Sequence, residues 1–236
     1  MKGVLAKRKV KTAKLSFVRC ATRMFLEKGY NATSPKQIVE ALDTGTGNLT
    51  YYFPTKEHLL AVLVDLLCAF QWNMMEQEVN ESLDSLMAIS LELATIIAVC
   101  EEDLVAKDFY TSAYAGPMCL DIIRRNDTAR AKAVFAPYCP GWTDEQFVAA
   151  ASLVSGLEYG VLMTAGDPVS LETRIASTIN AILKIYQIPE EIRKANIERV
   201  LEMDYRAIAR RVLVEFKRFV DQSNEQAWEN LFKQAI

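Results

Sequence analysis

Histidine is all but missing from this chain: His58 is the single one in 236 residues. No second ligand stands four residues from it, which excludes the common zinc-binding helix spacing. The same shortage removes the usual general base. With no glycine-rich phosphate loop and no Gly-x-Ser-x-Gly turn, little is left from which to build an enzyme. Glycine and proline are scarce too, at 9 and 7 residues. A strand-rich fold needs many tight turns, so this scarcity predicts helices. The five cysteines (Cys20, Cys68, Cys100, Cys119, Cys139) are odd in number, widely spaced and free of any Cys-x-x-Cys pair. That predicts reduced, mostly buried thiols in a cytoplasmic protein rather than a disulfide framework. Long apolar runs are also wanting. Leu59–Phe70 and Leu86–Cys100 carry Asp65 and Glu92, and both fall short of the roughly 20 residues of a membrane span. They predict buried helices and no membrane partner. Met1–Lys14 is basic, but no apolar core follows it, so it is not read as a signal peptide.

What is present is an uneven charge. Residues 1–58 hold 11 Lys/Arg against 4 Asp/Glu, a surplus of +7, while the remainder holds 16 against 26, or −10. A basic head on an acidic body fits a chain that meets phosphates with one end. A basic tail without a partner fits the same numbers.

The head carries strong local signals. Phe17, Cys20, Ala21, Met24 and Phe25 recur at spacings of three and four, which predicts a helix over about 13–28 closed by Gly29. Ser34-Pro35-Lys36-Gln37 offers an N-cap, a proline for the first helical position and a capping-box partner. Ile38, Ala41 and Leu42 give that second helix an inward face. After the turn Asp43–Gly45, a short third helix over about 46–52 anchors through Leu49 and Phe53, and Pro54 stops it. Thr55 then caps a long amphipathic helix reaching about Gln77. Further helices are expected near 82–101, 104–115, 117–136, 143–164, 170–186, 189–220 and 225–234. Two short helices joined by a tight turn, the second rich in small polar residues, have the form of a helix-turn-helix.

The block Phe17–Leu60 resembles the DNA-binding domain of TetR-type regulators. The resemblance lies in Cys20-Ala21, Met24-Phe25, Gly29-Tyr30, Ala32-Thr33-Ser34, Ile38-Val39, Gly47-Asn48-Leu49-Thr50-Tyr51-Tyr52-Phe53 and Pro54-Thr55-Lys56-Glu57. The turn departs from the family, which usually has a glycine and a hydrophobic residue where this chain has Asp43-Thr44. The resemblance implies an all-α chain: a three-helix helix-turn-helix domain over 1–58, and a helical ligand-binding and dimerisation domain over 59–236. It also implies backbone-phosphate contacts from Thr33, Tyr51 and Tyr52. Lys56, at the positive end of the long helix, suits a phosphate on physical grounds. Thr44, Thr46, Gly47, Asn48 and Thr50 lie on the recognition segment. Asparagine suits adenine and threonine methyls suit thymine methyls. Lys7, Arg8, Lys9 and Lys11 offer an arm to a groove or backbone.

In the body, aromatic, sulfur-bearing and acidic side chains at Phe70, Cys100, Phe109, Tyr110, Tyr114, Met118, Glu158 and Tyr159 are the candidates for an effector pocket. Glu158 is expected to meet a cationic group or solvent. The small residues of Ala149-Ala150-Ala151 to Ser155-Gly156 suit a close helix pairing. The helix with Ala176, Ile179, Ile182, Leu183 and Tyr186 is their expected companion in a homodimer, and core packing within one subunit suits these residues equally well. The function this predicts is a sequence-specific, homodimeric DNA-binding regulator. It would act as a repressor released from a palindromic operator in double-stranded DNA by a small-molecule effector, without cofactor or metal. The alternative is an all-helical scaffold or partner-binding protein.

Overall fold

A computed structural model describes residues 2–79 and 85–223, with side chains from Ala13 onward. Among the described residues the regular elements are helical: α1 (Lys2–Lys28), α2 (Pro35–Ala41), α3 (Thr46–Tyr52), α4 (Lys56–Val79), α5 (Ser85–Glu102), α6 (Leu104–Ala115), α7 (Pro117–Phe135), α8 (Asp144–Met163), α9 (Leu171–Ile185), α10 (Glu190–Glu202) and α11 (Tyr205–Gln222), with a 3-10 turn over Ala136–Tyr138.

Local chemistry sets most of these limits. Ser34 and Gln37 form the expected capping box at α2, and Thr143 with Gln146 forms another at α8. Asp103 caps α6 through the amides of Val105 and Ala106. The apolar faces then merge. Phe17, Val18, Ala21 and Phe25 of α1, Ile38 of α2, Leu49 of α3 and Leu59, Leu60 and Leu63 of α4 belong to one buried cluster that continues through the body. Helix α4 runs through residue 58 unbroken, so a single rigid rod joins head and body. Both α4 and α8 are long and apolar enough to cross a membrane by length and composition. The apolar side chains of α4 are used in the core instead.

Two elements differ from the sequence expectation. Helix α1 begins at Lys2, not near residue 13. The side chains of Lys7, Arg8, Lys9 and Lys11 lie outside the described residues, as does the helix expected over 225–234. The helix expected over 189–220 is two helices. Met203 is extended, at φ −75° and ψ 152°, and Asp204 caps α11 by accepting from the amide of Ala207. No glycine or proline marks this break; an aspartate cap alone makes it. The split lets α11 fold back. It packs along α5 and also along α1 of the head, where Arg19 donates to the carbonyls of Val220 and Ser223 and Arg23 pairs with Asp221 at 3.2 Å.

Candidate functional sites

The first site is the outer face of α3. Leu49 and Phe53 are buried and hold the short helix against the head. Thr46, Gly47, Asn48, Thr50 and Tyr51 are exposed, Thr44 and Tyr52 partly so. The Asn48 amide donates to the Thr44 hydroxyl at 3.1 Å, which fixes the amide's direction. The Thr50 hydroxyl turns back on the carbonyls of Thr46 and Gly47, so the methyl is what Thr50 has to offer a base. Tyr51 is 77 % exposed. Its ring stands edge-on to Tyr52 at 5.0 Å, and Tyr52 in turn leans on Phe17.

The turn before α3 closes α2. The Asp43 amide donates to the Glu40 carbonyl and the Thr44 amide to the Val39 carbonyl. This is the paired hydrogen bonding of a Schellman cap, with Asp43 in the left-handed position at φ 48°.

Two residues expected to touch phosphate have other work. Thr33 is 1 % exposed, and its hydroxyl donates to the Gly29 carbonyl at 2.8 Å, so it is withdrawn from any ligand. The Lys56 ammonium donates to the carbonyls of Tyr30 and Thr33 at 2.9 and 3.0 Å and lies 3.9 Å from the Tyr30 ring centre. Burial lowers its pKa from the usual lysine value. Lys56 thus pins the loop between α1 and α2 to the start of α4.

The same loop is gripped from the body. Asp108 of α6 accepts from the Asn31 amide at 2.9 Å and from its side chain. Gly29, at φ 96°, allows this approach: a Cβ there would lie 2.7 Å from the Asp108 carboxylate. Beside it, Glu57 accepts from the Met118 amide at the start of α7 at 2.8 Å, where the helix dipole favours a carboxylate. Neither Asp108 nor Glu57 was a sequence candidate. Charged residues on helices read as solvated faces until the fold shows what they meet.

The second site is a cavity of about 90 Å³ inside the body, walled by α4 to α9 and by Tyr186 just beyond α9. Of the eight pocket candidates, Phe109, Tyr110, Tyr114 and Glu158 line it. The other four do not. Phe70 packs between Phe216 and Phe219 of α11, and Cys100 is buried in the core away from the cavity. Met118 is exposed. Tyr159 is exposed and stacks on Tyr114 from outside, at 6.4 Å between ring centres. Missed by the sequence reading were Gln71 of α4, Glu92 of α5, and Asp127 and Arg130 of α7. One signal was available: Glu92 interrupts the apolar run of α5.

Charge inside this cavity is unbalanced. Arg130 makes a forked contact with Glu92 at 3.0 and 3.2 Å, donates to the Cys68 carbonyl and lies over the Trp72 ring. Burial still outweighs that partner and keeps the Glu92 carboxyl above its ordinary range. Among the described residues neither Asp127 nor Glu158 makes an ion pair of its own. Burial, aided by the Glu92 charge, pushes Asp127 up to about 7. Burial and the Asp127 charge push Glu158 well above the carboxylate range. Glu158 accepts from the Tyr114 hydroxyl at 3.0 Å.

The sequence match falls on the first site. Residues 18–63 match the model described as bacterial regulatory proteins, tetR family. Residues 18–63 are thus similar to a TetR-type DNA-binding head. Over 46 residues the chain is 39 % identical to the HTH-type transcriptional regulator QacR of Staphylococcus aureus (strain Mu50 / ATCC 700699). That stretch takes in 20 % of this chain and 24 % of QacR, so it spans about a quarter of the relative it matches. Solved structures extend the likeness in fold beyond the TetR-type head. RolR in complex with resorcinol superposes with a TM-score of 0.59 at 16 % identity, covering 78 % of this chain and 97 % of RolR. TylP, a TetR regulator from Streptomyces fradiae, gives 0.52 at 17 %, covering 87 % and 97 %. Both share the plan of a helix-turn-helix head on a helical body.

Proposed function

We propose that this chain is a homodimeric, sequence-specific DNA-binding transcriptional regulator, a repressor whose hold on a palindromic operator is released by a small molecule in the body cavity. The observation that carries the reading is the outer face of α3. A short helix anchored by two buried apolar residues presents an uncharged polar row, with one amide already oriented, on a head with a basic surplus. That is the equipment of a helix read into a major groove. In this reading Thr44, Thr46, Gly47, Asn48 and Thr50 meet base edges, while Tyr51 and Tyr52 meet phosphate oxygens. Lys56 positions the loop behind them. Residues 1–58 serve DNA and residues 59–236 serve ligand and dimer.

The dimer contact falls on α8. From Val148 to Met163 its exposed positions are Val148, Ala149, Leu153, Gly156, Leu157, Tyr159, Gly160 and Met163, without one charge. An apolar face of this length, with glycines for close approach, suits a second copy of the same helix. The apolar side of α9, named as its companion, is taken up inside the subunit: Ile179, Ile182, Leu183 and Tyr186 are buried and line the cavity. What α9 has for the contact is its polar outer side.

Helix α6 supplies the coupling. Asp108 holds the head loop, while its neighbours Phe109 and Tyr110 line the cavity. A ligand that prefers one placement of α6 therefore prefers one placement of the head. That RolR, of the same fold, was solved with resorcinol supports an effector site in such a body.

Selection of random duplex DNA on the purified protein tests the reading. The expected product is a palindrome whose binding weakens steeply with salt. Recovery of no enriched sequence would falsify the regulator reading and leave a helical partner-binding protein.

A further inference from the structure

We propose that the body cavity selects a small organic cation: a protonated amine on an aromatic body that carries one hydrogen-bonding oxygen. The inference deepens the effector site proposed above and rests on it for any consequence at DNA.

The walls supply the aromatic preference. Phe109 and Ile123 line the cavity, as do Phe135 and Tyr186, whose rings stack at 4.2 Å between centres. The polar groups supply the rest. Arg130 is committed to Glu92, and among the described residues neither Asp127 nor Glu158, which also line the cavity, has an ion pair of its own. One Asp127 oxygen, Oδ2, is buried with no hydrogen-bond partner among the described residues. It accepts and needs a donor. A second buried polar pair faces the same space. Gln71 is 3 % and Tyr110 4 % exposed, and both line the cavity. The Gln71 amide nitrogen and the Tyr110 hydroxyl face one another, and among the described residues neither makes a hydrogen bond of good geometry. The Gln71 nitrogen donates and needs an oxygen. Leaving several such groups unpaired is costly, and a ligand with an ammonium at one end and an oxygen at the other relieves them together.

The proton balance follows. Asp127, pushed up to about 7, carries its proton part of the time at neutral pH, and burial raises the Glu158 carboxyl well above the carboxylate range. The ammonium meets a carboxylate once the carboxyl proton has left for solvent; no bond to carbon forms or breaks. Amine binding therefore releases protons and tightens as pH rises, up to the point where the amine itself deprotonates. The other titratable groups facing this pair are Cys68 from α4, Glu92 from α5, Tyr110 and Tyr114 from α6, Arg130 from α7, and Tyr186 beyond α9. Burial raises the pKa of both cavity tyrosines on α6 well above the usual tyrosine value.

Titration calorimetry on the full chain with four probes of one shape tests this: tyramine, 4-propylphenol, 3-(4-hydroxyphenyl)propionate and 2-phenylethylamine. Tyramine is expected to bind tightest, with proton release seen as a heat that varies with buffer ionisation enthalpy. The anion is expected not to bind, and 2-phenylethylamine, lacking the oxygen, to bind more weakly than tyramine. Asp127→Asn and Glu158→Gln should each weaken tyramine by about 30-fold or more, as expected for removing one member of a buried charge pair. Both variants should keep the parent's helical circular dichroism and cooperative thermal melting, which shows that they are folded. Binding of 4-propylphenol as tight as tyramine, a tyramine affinity indifferent to both variants, or no binding by any probe overturns the proposal. Operator binding by the unliganded protein is measured separately, so the cavity inference can fail while the DNA reading stands.

Discussion

Asp43 holds the turn of the helix-turn-helix with φ at 48°, a region where a side chain is strained and glycine is not. Aspartate is among the few residues that tolerate it, which is how this chain departs from the family's usual glycine and keeps the same cap. Asp43→Gly should therefore hold or raise stability by up to about 1 kcal/mol, and Asp43→Val should lower it by about 1–2 kcal/mol. Urea midpoints at constant slope measure both; a harmless valine contradicts the strained turn. Asp127 sets a pH dependence. Its folded pKa, about 7, lies above that of a free carboxyl, so the folded state binds the proton more tightly than the unfolded chain. That contribution is full at pH values below the unfolded pKa and is lost as pH rises through the folded one. Stability should fall by up to about 1.4 kcal/mol per pH unit between about pH 4 and 7. Asp127→Asn should flatten that slope and be the more stable protein at pH 8. A slope unchanged by the substitution would exclude Asp127 as its source.

At the scale of elements, α6 is the part that faces both ways. Its Asp108 carboxylate is the body's grip on the loop between α1 and α2. Asp108→Ala should speed amide exchange at Asn31 by about tenfold, the equivalent of about 1.4 kcal/mol. Exchange at Phe109 and Tyr110 should stay as it was. If the loop keeps its protection without Asp108, then Lys56 alone holds it, and the proposed route from cavity to head is lost. Much of this layer was legible beforehand. The cap at Ser34, the stop at Pro54 and the break at Gly116-Pro117 are signals carried within a few residues of the chain. The fold-back of α11 was not, because Asp204 reads as an ordinary surface aspartate until the helix before it is seen to end.

For the whole molecule, the uncharged outer face of α8 predicts the assembly. Leu153 is 63 % exposed in the single subunit, so Leu153→Glu should leave the fold intact and give a monomer by sedimentation. Affinity for a selected palindrome should drop by roughly 100-fold or more, because two linked half-site contacts become one. A Leu153→Glu protein that still sediments as a dimer places the interface elsewhere. In the assembled picture α11 lies over α1 and α5, so the end of the described chain braces the head that its beginning forms.

The sequence determined what is local: which segments are helical, where most of them stop, and that a short helix near the start presents the row from Thr46 to Tyr51. Periodicity, caps and turn residues act over a few positions, and so does the resemblance. Tertiary structure decided what depends on residues far apart in the chain. It turned the Thr33 hydroxyl and the Lys56 ammonium toward backbone carbonyls of the loop before α2. It brought Glu92, Asp127 and Glu158 from three helices around one cavity. A charge in a sequence carries no record of whether it will face water or another charge; only the packing of helices against one another supplies that.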